Sequence, residues 1–381
     1  MKKNFGKLCM GGVLLFSLSM SLTSCDPYLD DVLGEWSRPT HGGNVTPGGG
    51  SSSDETTPTM KATPLTLEAI TAGTIVVNNP KDGMQYSLNG GEKKAVPNGT
   101  AIEGGDLSVG DKVAFYGNGT SISAYSDGTT NTTFGGTAQV KAYGNIMSLV
   151  DETGYEGATE LTGDFAFRSL FYANTMLTDI SELQLPATNL TRACYQNLFQ
   201  GCTGLTTIPE ALLPAATLAN QCYQSMFQGT GLTTVPEKLL PATEMKASCY
   251  ATMFMSCTGL TTVPEKLLPA ETLANACYQY MFQNCSSLTT APKLPATTLV
   301  ESCYEQMFYN CSNLNVVTCL ATHIGASSCT ENWLYGVAAS GTFYKASGMT
   351  RDGSGTKTDT NYPNNANGIP GTWTFQNYVA P

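Results

Sequence analysis

Along the middle of the chain the apolar positions fall in pairs that return every four residues: Cys194-Tyr195, Leu198-Phe199 and Cys202, then Leu218, Cys222-Tyr223 and Met226-Phe227. Apolar residues at i, i+4, i+5, i+8 and i+9 predict the buried stripe of a short amphipathic helix. Leu-Pro-Ala and a threonine precede most of these segments, as at Pro295 with Thr297 or Thr298, which supplies a stop and an N-cap. Two residues after each phenylalanine stand Gly201, Gly229, Ser256, Asn284 and Asn310, and Gly or Asn there fits a left-handed helix end. Leu-Thr-Thr-Ile/Val-Pro follows, short and β-branched and closed by a proline that cannot donate to a ladder. Each unit therefore predicts one short helix and one short strand.

The unit is written repeatedly. Cys-Tyr pairs begin at Cys194, Cys222, Cys249, Cys277 and Cys303, at steps of 28, 27, 28 and 26 residues, with a weaker copy at Ala166-Phe167 and a decayed one at Cys329. The 27-residue step arises where Gly201-Cys-Thr-Gly204 becomes Gly229-Thr-Gly231, losing the cysteine; the 26-residue step arises where Pro264-Glu-Lys-Leu-Leu-Pro269 shortens to Pro292-Lys-Leu-Pro295. Both changes fall in connections, where length is tolerated. A period of this size predicts a solenoid whose units bury their apolar faces only against neighbours. The expected fold class is α/β: a leucine-rich-repeat-like solenoid over residues 157–335, one short strand and one short helix per 26–28-residue repeat.

Before the repeats, residues 64–151 alternate with period two. Leu65, Leu67 and Ala69 alternate with Thr66 and Glu68, and strand-like runs follow at 74–78, 84–88, 112–116 and 137–143 between turn signals such as Pro80-Lys-Asp-Gly83 and Asn89-Gly-Gly91. Several short strands in this length predict a small all-β sandwich, with the immunoglobulin arrangement as one candidate. After the repeats, residues 336–381 predict a β cap. Trp333-Leu334 replaces Met-Phe in the last unit, and Gly341-Thr-Phe-Tyr-Lys345 and Gly371-Thr-Trp-Thr-Phe-Gln376 read as strands. A terminal unit needs one apolar and one polar face, so Trp373 is expected to serve the cap rather than a ligand.

The Phe-x-Gly-Cys-x-x-Leu-Thr-x-Ile-Pro pattern resembles the BspA-like leucine-rich-repeat surface proteins of Bacteroides-type bacteria, most strongly over residues 157–334. The resemblance implies a curved solenoid on the cell surface that binds host or bacterial surfaces. It implies no catalysis and no fixed ligand residues.

At the N-terminus Lys2, Lys3 and Lys7 precede an apolar run ending in Leu22-Thr-Ser-Cys25. Small residues before a cysteine form a lipobox, so residues 1–24 read as a lipoprotein signal peptide with Cys25 as the lipidation site. The apolar run is too short to span a bilayer. Residues 25–63, rich in Gly, Ser, Thr and Pro, read as a flexible tether of roughly 30 Å. The expected location is the outer membrane, lipid-anchored and facing the cell exterior.

Charge narrows the partners. The formal net charge of −11 becomes −14 once the three leader lysines are removed, since residues 1–24 hold no acid. A chain this acidic is a poor match for nucleic acid or for anionic lipid, so membrane contact is expected through the lipid anchor. Of thirteen cysteines, Cys9 leaves with the leader and Cys25 takes the lipid. Cys194 and Cys202, eight apart across a helix, would stand about 12 Å apart, beyond disulfide reach. Helix cysteines of adjacent units would stand about 10 Å apart, also too far. The turn cysteines Cys257, Cys285 and Cys311 could stack near 5 Å and leave a bridge open. Most are expected to be small buried hydrophobes. No Cys-x-x-Cys occurs, His41 has no second ligand nearby and His323 is the only histidine of the repeat region, so no metal site and no cofactor are expected.

The candidate binding face is the threonine row. In the pairs 206/207, 233/234, 261/262 and 289/290 one member should line the sheet face, giving Thr206, Thr233, Thr261 and Thr289 as candidates for meeting a protein or glycan ligand. Threonine is also what any half-exposed strand favours. Gln196, Gln224, Gln279 and Glu305 repeat at an outward position and read as solvated surface. The expected function is a non-enzymatic binding or adhesion scaffold for host, bacterial or matrix components. The alternative is a glycan-capturing surface lipoprotein beside an outer-membrane transport system, which requires exposed aromatic platforms. A hydrolase would need a carboxylate pair such as Asp151 with Glu160, and no nucleophile, base or metal set accompanies one in the sequence.

Overall fold

A computed structural model describes residues 62–123, 131–352, 360–363 and 368–380, all within one compact unit, Thr57–Pro381. Strands and turns build it, in several small sheets; among the described residues there is no α-helix.

The sequence N-terminal to the repeats forms β1 (Thr66–Ala69), β2 (Ile75–Asn78), β3 (Gln85–Leu88), β4 (Lys94–Ala95), β5 (Lys112–Tyr116), β6 (Thr133–Gly136) and β7 (Val140–Asn145). The predicted runs at 74–78, 84–88, 112–116 and 137–143 correspond to β2, β3, β5 and β7. The pattern missed β4, only two residues long, and β6, which ends in two glycines. The main sheet runs β4-β3-β5-β1-β7 with antiparallel pairing, and β2 pairs with β6. The sheet continues past residue 151: β8 (Leu177–Asp179) and β9 (Leu183–Gln184), from the first repeat, pair in parallel with β7. Phe134 of β6 packs on Phe115 of β5 at 4.7 Å and on Phe171 of the first repeat at 5.3 Å, so one core spans the β-sheet region and the repeats.

The expected helix of each repeat is not formed, and the α/β helical repeat is corrected to a repeat of linked turns. In residues 191–202 alternate amides have different partners. The N–H groups of Cys194, Gln196, Leu198, Gln200 and Cys202 donate to the carbonyl three residues back, closing overlapping β-turns. Those of Ala193, Tyr195, Asn197, Phe199 and Gly201 donate to Asn220, Cys222, Gln224, Met226 and Gln228 of the next copy, at 2.8–3.0 Å. Every fourth residue is left-handed: Ala193, Asn197 and Gly201 at φ 52°, 58° and 78°, and likewise Ala276, Tyr280 and Asn284 or Ser302, Gln306 and Asn310. The residues read as left-handed helix ends do have positive φ, but as the third member of each series rather than as caps. Two physical reasons favour this ribbon. A segment of about ten residues is too short to be a stable helix on its own, and a helix would spend its N–H groups internally, whereas the ribbon ties each copy to the next through backbone. Apolar pairs four apart fit both periods over so short a stretch, which is why the stripe resembled a helix.

A four-residue period repeats without drift, so equivalent side chains stack in columns. Phe171, Phe199, Phe227, Phe254, Phe282 and Phe308 form one, with centroids 5.6–5.8 Å apart. Phe167, Tyr195, Tyr223, Tyr250, Tyr278, Tyr304, Trp333 and Tyr362 form the other, at 5.6–6.2 Å. Aromatic pairs of this kind add about 0.5–1.5 kcal/mol each beyond their burial. The cap is parallel β: β10 (Val316–Cys319), β11 (Thr342–Lys345) and β14 (Thr374–Asn377) make one sheet, and β12 (Thr350–Asp352) pairs with β13 (Asn361–Pro363). Trp333 and Trp373 are both buried in it, and the Trp373 indole donates to Ala338 O at 2.8 Å.

Candidate binding surface

Where the sequence predicted a strand per repeat, the threonine segments are linked mostly by single bridges, Thr234 to Thr262 and Thr290 to Val316, rather than by long ladders. Backbone still keeps them in line. Thr233 N donates to Thr206 O, Thr261 N to Thr233 O, Thr289 N to Thr261 O and Asn315 N to Thr289 O, at 3.0–3.4 Å. Thr206, Thr233, Thr261 and Thr289 are therefore brought into one row, one per repeat, and all four are exposed, as are their neighbours Thr207, Thr234, Thr262 and Thr290. Leu205, Leu232, Leu260 and Leu288 immediately before them are fully buried and anchor the row from below. The hydroxyls of Thr261 and Thr289 reach the preceding carbonyl only at 3.4 Å, so both retain capacity for a ligand.

A second exposed row, which the pattern did not single out, lies just before each ribbon. Asn189 bridges Glu160 and Thr217, Glu244 bridges Thr272, and Thr298 bridges His323. The signal for it was the threonine that follows most Leu-Pro-Ala stretches, expected from the sequence to cap a helix. His323 is exposed and its Nδ1 lies 3.2 Å from Thr322 Oγ1. Among the described residues no group of three or more His, Cys, Asp or Glu is arranged to hold a metal ion.

The outward glutamines are more ordered than solvated surface. Gln196 Nε2 donates to Gln224 Oε1, Gln200 to Gln228, Gln279 to Glu305 and Gln283 to Gln306, so amides from successive copies are linked across this face.

All eleven described cysteines are buried, and none is joined in a disulfide. Burial holds the thiols of Cys202 and Cys311 up at about 12 and that of Cys257 at about 11. Rather than bridging each other, Cys202, Cys257, Cys285 and Cys311 donate S–H bonds to Phe171, Phe227, Phe254 and Phe282 O of the preceding copy, at 3.0–3.1 Å. In the copy that lacks the turn cysteine, Thr230 fills the place and its hydroxyl turns to Phe227 O of its own copy at 2.8 Å.

Asp151 and Glu160 do come together on the lining of one cleft of about 260 Å³, with Thr120, Met147 and Leu161. Each carboxylate already has structural work. Asp151 accepts the N–H of Gly154 at 2.8 Å, closing its own turn, and Glu160 accepts the Asn189 amide at 2.8 Å. The lining contains no histidine, cysteine or lysine. Cys25, the lipidation candidate, lies outside the described residues, as do the leader and tether; no described helix is long and apolar enough to cross a membrane.

No protein-family profile, no curated protein and no solved structure matches this chain.

Proposed function

We propose that this chain is an exported, lipid-anchored surface protein whose repeats form a solenoid of the leucine-rich-repeat kind, BspA-like in its sequence pattern, and act as a non-enzymatic binding scaffold. The observation that carries the reading is the row Thr206, Thr233, Thr261 and Thr289: four exposed hydroxyls fixed in register by backbone bonds and buried leucines. Regular rows of weak polar contacts suit extended partners, because many small contributions add once the first is made. The net charge of −11 directs the choice toward neutral or basic surfaces rather than nucleic acid.

The test is to probe paired arrays of glycans and of matrix or cell-surface proteins with the full chain. Saturable binding to an array member supports the reading. Silence on both, with the fold intact, refutes it. A second reading, capture of glycans for transport, draws on one observation: although the tryptophans of the cap are buried, Tyr309 and Tyr335 stack at 4.9 Å on the ribbon face and Tyr335 is 40% exposed.

A further inference from the structure

The side chain after each ribbon phenylalanine forms a row of its own: Tyr172, Gln200, Gln228, Met255, Gln283, Tyr309 and Tyr335. In its middle the row is closed on itself, Gln200 donating to Gln228 Oε1 at 2.9 Å and Gln228 reaching Met255 Sδ at 3.6 Å. At its C-terminal end the chemistry changes. Tyr309 and Tyr335 are parallel, 4.9 Å apart with 15° between their planes, closer than any pair in the two interior columns. Tyr335 belongs to the last ribbon copy and is 40% exposed.

We propose that Tyr309 and Tyr335 form a stacking platform for a neutral oligosaccharide, a proposal that rests on the glycan-capture reading. A sugar ring offers apolar C–H faces and an equatorial rim of hydroxyls, and its site needs aromatic area bordered by placed polar groups. Both are present. Tyr309 closes a turn with Gln306, and Tyr335 one with Asn332; the Gln283 to Gln306 bond shows that these two rows are neighbours. Next to Tyr309 in the chain is Asn310, whose Nδ2 donates to Asn284 Oδ1 at 3.3 Å. Gln306 and Asn310 thus carry amides on the same ribbon turns as Tyr309, and amides can donate to and accept from hydroxyls. The chain's formal net charge is −11, and the carboxylates of Glu305 and Glu331 belong to the same two ribbon copies as Tyr309 and Tyr335. They disfavour uronic acids and other anionic sugars, leaving a neutral hexose chain as the occupant.

The test titrates the full chain with malto-, cello- and mannohexaose and with an oligogalacturonate, by calorimetry. Three variants are compared: Tyr335→Ala, Tyr335→Phe, and Tyr172→Ala, which removes the 48%-exposed tyrosine at the opposite end of the row. The expected result is saturable binding of a neutral hexaose, weakened at least about fivefold in Tyr335→Ala, kept in Tyr335→Phe and unchanged in Tyr172→Ala. Ring resonances of Tyr309 and Tyr335 should shift in the native protein on addition of that sugar, a readout independent of any variant. Binding that Tyr335→Ala leaves unchanged overturns the platform while sparing the capture reading. No binding of any sugar by the folded chain overturns both, and tighter binding of the oligogalacturonate overturns the neutral occupant.

Discussion

Replacing Ala276 by glycine distinguishes the turn ribbon from the helix that the apolar stripe suggested, because the two predict opposite signs. Ala276 sits at φ 55° in the fourth full copy, on a half-buried position, and its N–H donates to Glu301 O of the next copy at 3.0 Å. That bond survives the substitution, and no side-chain hydrogen bond is lost. In a helix interior the change costs about 1 kcal/mol, since alanine is the best helix former and glycine among the worst. In the ribbon the alanine methyl bears the left-handed penalty of about 1–2 kcal/mol. Relief of that penalty is offset by about 0.4–1 kcal/mol of extra freedom that glycine gives the unfolded chain. The balance is a gain of up to about 1.5 kcal/mol from these two terms. Chemical denaturation of the native chain and of Ala276→Gly, read by tyrosine and tryptophan fluorescence, measures the difference. A midpoint that falls by the equivalent of about 1 kcal/mol, the helix value, would refute the ribbon.

Three further outcomes follow from the packing. Phe282→Ala should cost about 3–5 kcal/mol, because a fully buried ring that stacks on both Phe254 and Phe308 leaves a hole in the column; Phe282→Leu should cost clearly less, by the same denaturation assay. A water-soluble disulfide reagent at pH 8 should find none of the eleven buried thiols in the folded chain and all of them after unfolding, with trapped labels located by mass spectrometry. Stability should also fall with alkali. The thiols of Cys202, Cys257 and Cys311 lie above their unfolded value of 9.0, at about 12, 11 and 12, so the unfolded chain releases protons first and stability is lost from about pH 9 up to about 12; thermal melts between pH 8 and 11 check the sign.

Much of the architecture was legible in the sequence, and what was not has local causes. The repeat boundaries, the strands β2, β3, β5 and β7 and the two cap strands near 342 and 374 follow from period-two alternation and from the written-out copies. The helix did not survive, because Cys194, Leu198 and Cys202 at steps of four satisfy a 3.6-residue period over only two turns. The distinguishing signal lay one residue earlier, at Ala193, Asn197 and Gly201: a second four-residue series, occupied in other copies mostly by Ser, Asn, Gly, Ala and Gln, with Phe165 and Tyr280 the aromatic members and Thr252 the one β-branched residue among the described ribbon positions at positive φ. The continuity of the sheet from β7 into β8 and β9 was not legible either, since pairing across residue 151 depends on register between distant segments and not on local pattern. At the surface the repeat of threonine positions was readable from the sequence, and the structure aligns the four in one exposed row. The pattern missed the Tyr309 and Tyr335 pair, because their row mixes Tyr, Gln and Met and only stacking makes the two tyrosines one feature.

The central claim is that the row of threonines presents a binding face. It is tested most directly by running the full chain and a version carrying Thr206, Thr233, Thr261 and Thr289 changed to Lys side by side on the same glycan and protein arrays. Since all four side chains are exposed, the folded state should tolerate the change, which circular dichroism confirms before the arrays are read. The account predicts saturable binding by the native chain that is lost in the lysine version. Binding that persists unchanged in that version would contradict it and move recognition to another face.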